Sequence, residues 1–483
     1  MKILLCTINA KWIHPSLALR LLKANLGEYE GDCAILELNL RQSREERLAA
    51  LLAARPRILG LSVSIWNHEA TLGLLRDLEA AWREGAFPVV VLGGPEVSFL
   101  PEGAELFSHA AYVIRREGED AFRELCGSLL AGTEAARRDG PPRFIDAAPP
   151  ELAKLRSPYP YYSDEDLRRK LVYVEASRGC PYGCEFCLSP PVSAGGRVRN
   201  FPLEPFLAGM EALIRRGARS FKFLDRSFNA DIPRARSILE FFLERMAGAR
   251  PGGGAEAGER PLCVHVEMTP SRFPAGLVEV LARFPPGGLR LEIGIQTLNP
   301  ETAALVSRPL DGEAELAALR MLREETAAII HADLIAGLPG EGLDSFASGF
   351  DRLWGALSGG GGESPRPEIQ LGILKLLPGA AIVRRSETYG MRYAAAPPYE
   401  VLETAALPRR DLERVKNYAR FWELIVNRGA FADLEGELCP PGEPVFRSFM
   451  ELSGRLLSRF GRNWGIDRRD LREALTEELR RKG

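Results

Sequence analysis

The sequence has no uninterrupted apolar run long enough to cross a bilayer, although 46% of its 483 residues are hydrophobic. Polar Thr7, Asn9, Lys11 and His14 interrupt the first apolar stretch, so we expect no signal peptide. The formal net charge is only −2, which gives no global attraction to nucleic acid or an anionic membrane. We therefore expect a cytoplasmic protein with neither a membrane nor a nucleic acid as its partner.

A chain of this length exceeds what one hydrophobic core covers, and its patterning predicts three domains of an α/β protein. Residues 1–135 alternate five short apolar runs with amphipathic segments, which predicts a flavodoxin-like (Rossmann-type) doubly wound domain. A dinucleotide-binding domain would carry GxGxxG after its first strand. The sequence there, Thr7–Lys11, contains no glycine, which disfavours a nicotinamide or flavin dinucleotide.

The rest of the chain divides into three parts. Residues 136–170 are rich in Pro, Arg and Tyr and are predicted to be a linker. A second βα series over 171–377 has six predicted strands, which indicates a partial (β/α)6 barrel with its chemistry at the C-terminal mouth. From 378 to 483 the strand pattern fades, and a mainly helical domain is predicted.

Three of the eight cysteines fall within eight positions of one another, after the first predicted barrel strand. Cys180, Cys184 and Cys187 are interspersed with Pro181 and Gly183, which favour a turning loop on which the thiols converge. Three thiolates can hold three irons of a 4Fe–4S cluster and leave the fourth iron open. The remaining cysteines are dispersed and are predicted to be small core residues: Cys6, Cys33, Cys126, Cys263 and Cys439.

Other interpretations of these three cysteines remain open. A structural zinc site normally has four ligands, and no fourth Cys or His follows closely. A CxxC redox pair would leave Cys180 without a role. Three unliganded thiols are the least specific alternative.

The CxxxCxxC spacing, with aromatic Phe186 just before the last cysteine, resembles the signature of the radical S-adenosylmethionine (SAM) superfamily. In that family the open iron chelates SAM, and reductive cleavage releases a 5′-deoxyadenosyl radical. The resemblance implies that Phe186 packs near the adenine. Later strand ends resemble the coproporphyrinogen-oxidase-like branch, which implies SAM contacts by Gln296, Arg308 and Asp333, with Glu267 as a further candidate. Strand-end polar residues also commonly cap helices or pair with each other, which is the alternative for all four.

The N-terminal domain places small polar residues and glycines after its later strands. Bare backbone at such positions lets a bulky planar ligand approach closely. Together with a downstream radical SAM domain, this order resembles the cobalamin-binding radical SAM family. The resemblance implies cobalamin contacts by Ser62, Ser64, Trp66, Gly93, Gly94, Pro95, Glu96, Gly118 and Glu119.

The DxHxxG motif of methionine-synthase-type cobalamin domains is missing, because Lys11 stands where its cobalt-ligating His would fall. This departure leaves the lower axial ligand open, with His14 three residues further on. The run TINAKWIHPSLALRLL resembles a subgroup that carries an extra C-terminal domain of unknown role.

The resemblance implies a cobalamin-dependent radical SAM methyltransferase that methylates an unactivated carbon or phosphinate-like centre of an unknown substrate. Its cofactors would be a 4Fe–4S cluster, SAM and cobalamin, and its electron donor a low-potential flavodoxin or ferredoxin. Two alternatives stay open: a cobalamin radical SAM enzyme that catalyses a rearrangement or cyclisation, and a non-catalytic cobalamin or iron–sulfur sensor.

Overall fold

The computed structural model describes residues 2–82, 86–133, 142–189, 198–248, 261–309, 311–358, 365–441 and 443–482. The chain divides into two compact units. The first unit comprises Met1–Ala176 and Arg199–Lys222, and the second comprises Ser177–Val198 and Phe223–Gly483. The first unit is therefore made from two separate segments of the chain.

The N-terminal sheet is six-stranded and parallel, with the strand order β2-β1-β3-β4-β5-β6. Its strands are β1 (Ile3–Asn9), β2 (Cys33–Asn39), β3 (Ile58–Ser62), β4 (Val89–Gly93), β5 (Tyr112–Arg115) and β6 (Arg143–Asp146). The helices of this part are α1 (Leu17–Ala24), α2 (Arg44–Ala54), α3 (His68–Ala81), α4 (Glu119–Ala131) and α5 (Asp164–Arg169). The first five strands coincide with the predicted apolar runs, and the flavodoxin-like fold class is confirmed.

The central strand β1 shows why this sheet forms. All seven of its residues are buried, because parallel sheets are covered on both faces by crossover helices. Strand β6 lies inside the segment that the sequence presents as a linker, where it pairs in parallel with β5. It has only four residues and lies at the edge of the sheet, so it carries little apolar signal.

The second sheet follows the chain in the order β14-β13-β12-β11-β10-β7, as a partial (β/α)6 barrel requires. Its strands are β7 (Val172–Val174), β10 (Ser220–Phe223), β11 (Cys263–Met268), β12 (Leu289–Gln296), β13 (Ile329–Ala336) and β14 (Glu368–Ile373); the short β8 (Ser177–Arg178) and β9 (Arg199–Asn200) fall between β7 and β10. The helices are α6 (Leu203–Arg215), α7 (Ile232–Gly248), α8 (Ala275–Ala282), α9 (Pro300–Leu305), α10 (Gly312–Glu325) and α11 (Leu343–Ser358).

Strands β11, β12 and β13 alternate strictly between buried and partly exposed residues. Their buried positions are apolar, as in Val264, Leu291 and Ile330. Because successive side chains of a strand point to opposite faces, the remaining positions share one face of the sheet. That face carries most of the candidate SAM contacts described below.

The C-terminal region is mainly helical, as predicted. It contains the short hairpin β15 (Arg392–Tyr393) and β16 (Val401–Glu403) and the helices α12 (Arg409–Trp422), α13 (Ala432–Leu438), α14 (Phe446–Phe460) and α15 (Arg468–Lys482). An aromatic cluster holds it together: Tyr418 stacks on Phe446 with ring centroids 4.6 Å apart, and Trp422 meets Phe350 of α11 edge-on at 4.8 Å. The region thus packs on the last barrel helix through apolar burial.

A buried arginine joins distant parts of the first unit. The Arg20 side chain, only 3% exposed, donates through Nη2 to Glu37 at 2.9 Å and to Asp166 at 2.8 Å. Its guanidinium also stacks over Tyr162 at 4.4 Å. Lys170 pairs with Asp166 at 2.8 Å, and although burial raises the pKa of this carboxyl, that hydrogen bond and the neighbouring charges lower it overall. The charges of the two carboxylates are therefore compensated inside the unit.

We predict that Arg20→Ala destabilises the first unit by about 3 to 5 kcal/mol, because it leaves Glu37 and Asp166 with uncompensated buried charge. Urea denaturation of the full chain measures this effect. The exposed Arg41→Ala variant is the control and should change the free energy of unfolding by less than about 0.5 kcal/mol. Equal effects of the two substitutions would show that Arg20 does not compensate the buried charges of Glu37 and Asp166.

Candidate functional site

The three clustered cysteines lie on a half-buried loop that directly follows β8, and all three are free thiols. The loop turns between the second and third of them, because the Cys187 amide donates to the Cys184 carbonyl at 3.1 Å. The Cys180 sulfur lies 3.5 Å from the hydroxyl of Ser227. The predicted turning loop is therefore present, with its thiols accessible to a ligand.

Arg308 lies beside Cys184. Burial raises the pKa of the Cys184 thiol, while the nearby Arg308 guanidinium lowers it and the other two thiols raise it. Burial prevails, so the thiol keeps its proton more firmly than usual in the absence of a metal. Arg308, a predicted SAM contact, therefore lies close to the cysteine loop.

Gln296 and Arg308 meet at a bulge near the carboxyl end of β12. The register with β13 shifts between Gly294 and Gln296, and Gln296 adopts a positive φ of 69°. The Gln296 amide folds back over Gly294, where a Cβ would collide with it. Arg308 Nη2 donates to the Gly294 carbonyl at 2.6 Å. The structure thus brings two of the predicted SAM contacts to one short backbone segment.

A buried carboxylate, Glu315, lies behind Arg308, with 3.6 Å between Arg308 Nη2 and Glu315 Oε1. Burial raises the pKa of Glu315 to about 7, although the Arg308 charge opposes that shift. The Nε atom of Arg308 is buried and has no hydrogen-bond partner among the residues that the structure describes. An anionic group such as a carboxylate would suit this guanidinium, which fits the chemistry of SAM.

The other SAM candidates lie on the inner face of the barrel strands or in the cysteine loop. Asp333 Oδ1 is 3.2 Å from His331 Nε2, and Glu267 Oε2 is 3.8 Å from Arg226 Nη1. Phe186 is half-buried in the cysteine loop. Asp333 and Glu267 thus have charged partners within the protein, which is the alternative that the sequence left open for them.

A network of paired charges fills the same face, and sequence reasoning missed it. Glu267, Glu292, His331 and Glu368 stand side by side in register on β11 to β14. His265 Nε2 is 3.0 Å from Glu292, His331 Nδ1 is 2.9 Å from Glu368, and Arg290 Nη2 is 2.9 Å from Glu368. The signal was present in the sequence as the period-two alternation in CVHVEM, LRLEIGIQ and IIHADLIA.

His331 carries a positive charge in this network. Burial lowers its pKa, but hydrogen bonds to Asp333 and Glu368, together with the charges of Asp333 and Glu292, outweigh burial and raise the pKa to about 10. This face of the sheet therefore carries both acidic and cationic groups, in contrast to the apolar layers that fill closed barrels.

Among the described residues, no set of three or more His, Cys, Asp or Glu side chains is arranged to hold a metal ion. Ligands of one ion must all converge within its bonding distance. In a cubane each thiolate binds its own iron, so its cysteines lie further apart than ligands sharing a single ion. Three thiolates on one loop are as many as such a cluster needs when its fourth iron stays open.

In the first unit, the loop that follows β3 is fixed by a fully buried asparagine that the sequence did not single out. The Asn67 amide donates to the Ile8 carbonyl at 3.0 Å and to the Ser62 carbonyl at 3.2 Å, and its oxygen accepts from the Ser64 amide at 2.8 Å. Asn67 therefore ties together the ends of β1 and β3. Trp66, beside it, stays 52% exposed and available to a ligand.

Two backbone segments approach each other closely at the glycine pair Gly93–Gly94, where β4 ends. Gly94 has a φ of +106°, and a Cβ there would lie 2.5 Å from the Val63 carbonyl oxygen, so only glycine fits. Its own carbonyl accepts a hydrogen bond from Ser98 Oγ at 2.9 Å. Gly93 and Gly94 are half-buried and have no side chain of their own, so the carboxyl end of the sheet presents backbone that a flat ligand such as a corrin could approach.

The remaining cobalamin candidates surround this edge with different degrees of exposure. Pro95 is exposed and Gly118 is half-buried, whereas Glu96 and Glu119 are each only 6% exposed. Glu96 Oε1 is 2.9 Å from His68 Nδ1, an ion pair or hydrogen bond that anchors the loop from within. His14, the histidine nearest the missing motif, is hydrogen-bonded through Nδ1 to Tyr173 at 2.9 Å.

Comparison with known proteins assigns both units. Residues 3–126 match the B12 binding domain, and residues 174–353 match the radical SAM superfamily. The chain thus combines a B12-binding domain with a domain of the radical SAM superfamily. The predicted cofactors, cobalamin, a 4Fe–4S cluster and SAM, are those of these two domains.

Two curated proteins illustrate what this chain is similar to. A tRNA-2-methylthio-N(6)-dimethylallyladenosine synthase of Sorangium cellulosum is 27% identical over 308 residues, which are 57% of this chain and 58% of that protein. An uncharacterised methyltransferase of Pyrococcus horikoshii is 31% identical over 167 residues, 31% of this chain and 36% of that protein. The chain therefore spans between a third and three fifths of the lengths of these relatives.

Two solved structures share the fold of this chain. The radical SAM methyltransferase TsrM of Kitasatospora setae, with tryptophan substrate and a SAM analogue bound, superposes with a TM-score of 0.61 at 20% identity, covering 85% of this chain and 81% of TsrM. The cobalamin-dependent radical SAM enzyme OxsB, with aqua-cobalamin and SAM bound, gives a TM-score of 0.65 at 13% identity, covering 100% of this chain and 80% of OxsB. At these identities the likeness concerns the fold alone.

No helix within the described parts of this chain is both long and apolar enough to cross a membrane.

We predict that Gly94→Ala lowers the free energy of unfolding by about 2 to 3 kcal/mol, because the methyl group would push apart two backbones at a positive φ. The neighbouring Gly93→Ala is the matched control. Its Cβ would meet the Ile114 carbonyl oxygen at 3.7 Å, an ordinary contact, so we expect a loss below about 1 kcal/mol. Thermal and urea denaturation without cobalamin test both variants, and a larger effect at Gly93 would refute this account.

We predict that His331→Gln flattens the pH dependence of stability above neutrality. The pKa of His331 is raised to about 10 in the folded protein, so its contribution is fully present below the ordinary histidine pKa of about 6.5 and is lost as pH rises towards 10. Between about pH 7 and pH 10 the unvaried chain should lose at least about 1 kcal/mol more stability than the variant. Parallel curves in urea denaturation would show that His331 is not charged.

Proposed function

We propose that the chain is a cobalamin-dependent radical SAM methyltransferase that methylates an unactivated carbon or phosphinate-like centre. The observation that carries this proposal is the convergence of Cys184 with Arg308 and Gln296 at the end of β12, in a chain whose other unit is a B12-binding domain. The uncharacterised methyltransferase among the curated relatives supports methyl transfer.

In this proposal Cys180, Cys184 and Cys187 hold three irons of a 4Fe–4S cluster. When bound, the cluster and SAM supply a 5′-deoxyadenosyl radical, and cobalamin supplies a methyl group. Arg308 presents its guanidinium to the SAM carboxylate and is itself aligned by the Gly294 carbonyl and Glu315. Gln296 and Asp333 contribute hydrogen-bonding groups from neighbouring strand ends, and Phe186 contributes an apolar face for the adenine.

The B12-binding domain contributes positioning rather than reactive groups. Asn67 fixes the loop from Ser62 to Trp66, and the half-buried backbone of Gly93 and Gly94 would leave room for a corrin. The DxHxxG histidine is missing, and His14 Nδ1 is engaged with Tyr173. A low-potential flavodoxin or ferredoxin is the proposed electron donor.

The test uses anaerobically purified, cluster-reconstituted protein with hydroxocobalamin, SAM and a strong reductant. We predict that the unvaried chain binds iron and cobalamin and forms both 5′-deoxyadenosine and S-adenosylhomocysteine, measured by mass spectrometry. Cys184→Ala should lose iron and 5′-deoxyadenosine by at least about tenfold, because the cluster then lacks one ligand, while it still binds cobalamin. Cys263→Ala, a half-buried thiol at the start of β11, is the matched control and should retain both.

Each outcome separates the alternatives. Both SAM products, absent without the cluster, support the methyltransferase. Formation of 5′-deoxyadenosine without S-adenosylhomocysteine would favour a rearrangement or cyclisation instead. Intact SAM under all conditions, with cobalamin or iron bound, would favour a non-catalytic sensor and overturn the enzyme assignment.

A further inference from the structure

The cysteine loop is bound by the region that follows the barrel. Glu185, between the second and third cysteines, donates its amide to the Val306 carbonyl at 3.0 Å. Its own carbonyl accepts the amide of Ile382, also at 3.0 Å, from a short 3₁₀ helix, Ala381–Arg385. The peptide groups on both sides of Glu185 are therefore fixed by segments far from it in sequence.

The Glu185 carboxylate is held as firmly as its backbone. Arg385 Nη1 donates to both of its oxygens, at 3.0 and 3.2 Å, and Ser307 Oγ donates to Oε1 at 3.2 Å. The carboxylate side chain is only 16% exposed, whereas the Arg385 side chain is 43% exposed. The Arg385 guanidinium is further restrained by stacking over Tyr389 at 4.8 Å. Such restraint reduces the entropy that an exposed ion pair would lose.

The same guanidinium reaches the segment that leads to Arg308. Arg385 Nη1 donates to the Leu305 carbonyl at 3.4 Å, and Tyr389 donates to that carbonyl at the same distance. Three residues later the chain reaches Arg308, beside Cys184. One arginine thus restrains both the loop that carries the cysteines and the segment that carries the guanidinium facing them.

We propose that Arg385 is a positioning residue for the cluster: acting through Glu185, it fixes the geometry of the cysteine loop. This assigns a role in the radical SAM site to the region after the barrel. The inference rests on the proposed function only in that Cys180, Cys184 and Cys187 are taken as the cluster ligands. It does not depend on what the enzyme methylates.

The experiment compares full-length, anaerobically reconstituted Arg385→Ala with Arg385→Lys and with the exposed neighbour Arg384→Ala as the matched control. Three readouts are needed: the rate of iron release to a chelator, the electron paramagnetic resonance spectrum of the reduced cluster, and its midpoint potential. We expect Arg385→Ala to release iron about threefold to tenfold faster, with a changed spectrum and a shifted potential. Arg385→Lys should restore part of each change, and Arg384→Ala should match the unvaried chain.

Several outcomes would overturn the proposal. If Arg385→Ala keeps the spectrum, the potential and the iron-release rate of the unvaried chain, the residue does not position the cluster. If Arg385→Ala lowers the thermal midpoint of unfolding but leaves the spectrum and the potential unchanged, Arg385 contributes only to the general stability of the fold. If Arg385→Ala fails to fold, Glu185→Gln replaces it, since it keeps the side-chain shape without the charge, and the same spectral change is required.

A failure of the cluster assignment can be told apart from a failure of the positioning role, because the unvaried chain itself would then take up no iron. The proposed methyl transfer also fails separately, because none of these readouts needs a substrate or cobalamin. A normal cluster in the unvaried chain with a perturbed one in Arg385→Ala supports the positioning role even if no methylated product is ever found.

Discussion

Parallel strands bring their carboxyl ends to one edge of a sheet, and both candidate sites depend on that constraint. In the first unit, Ser62 and Gly93 are the last residues of neighbouring strands, so the loops that follow them adjoin without any direct sequence relation. In the second unit, β12 ends in a bulge at Gln296 beside β13. Backbone geometry thus gathers these residues, and side chains such as Asn67 and Arg308 only refine their positions.

The interior of the partial barrel shows how charged side chains are accommodated side by side on parallel strands. Carboxylates that stand side by side in register would repel one another if they were unpaired. Here Arg290 and His331 both pair with Glu368 at 2.9 Å, and His265 lies 3.0 Å from Glu292. Such a lining is preorganised and polar, whereas an apolar one would offer a substrate no directional contacts.

Much of this organisation could be predicted from the sequence. The strands follow from short apolar runs, and the cysteine loop follows from its spacing and its Pro and Gly residues. Strand β6 could not be predicted, because four residues beside a Pro-rich stretch carry no period. The link between Glu185 and Arg385 was equally hidden, since 200 residues separate its partners and Glu185 occupies an unspecified position of the cysteine motif. The roles of Asn67 and Glu315 depend on burial, which single residues do not reveal.

The pairing of Arg20 with Asp166 has a consequence for how such a protein can evolve. In the first unit, one counter-charge of Arg20 is Asp166, which comes after the last strand of the sheet. The unit also includes Arg199–Lys222, which lies beyond the cysteine loop in the sequence. A gene fusion that transferred only the segment up to about residue 135 would separate a buried guanidinium from one of its counter-charges. The cobalamin-binding domain therefore cannot be exchanged between proteins as an independent unit. Recombination at about residue 135 would be selected against, because it would separate Arg20 from Asp166.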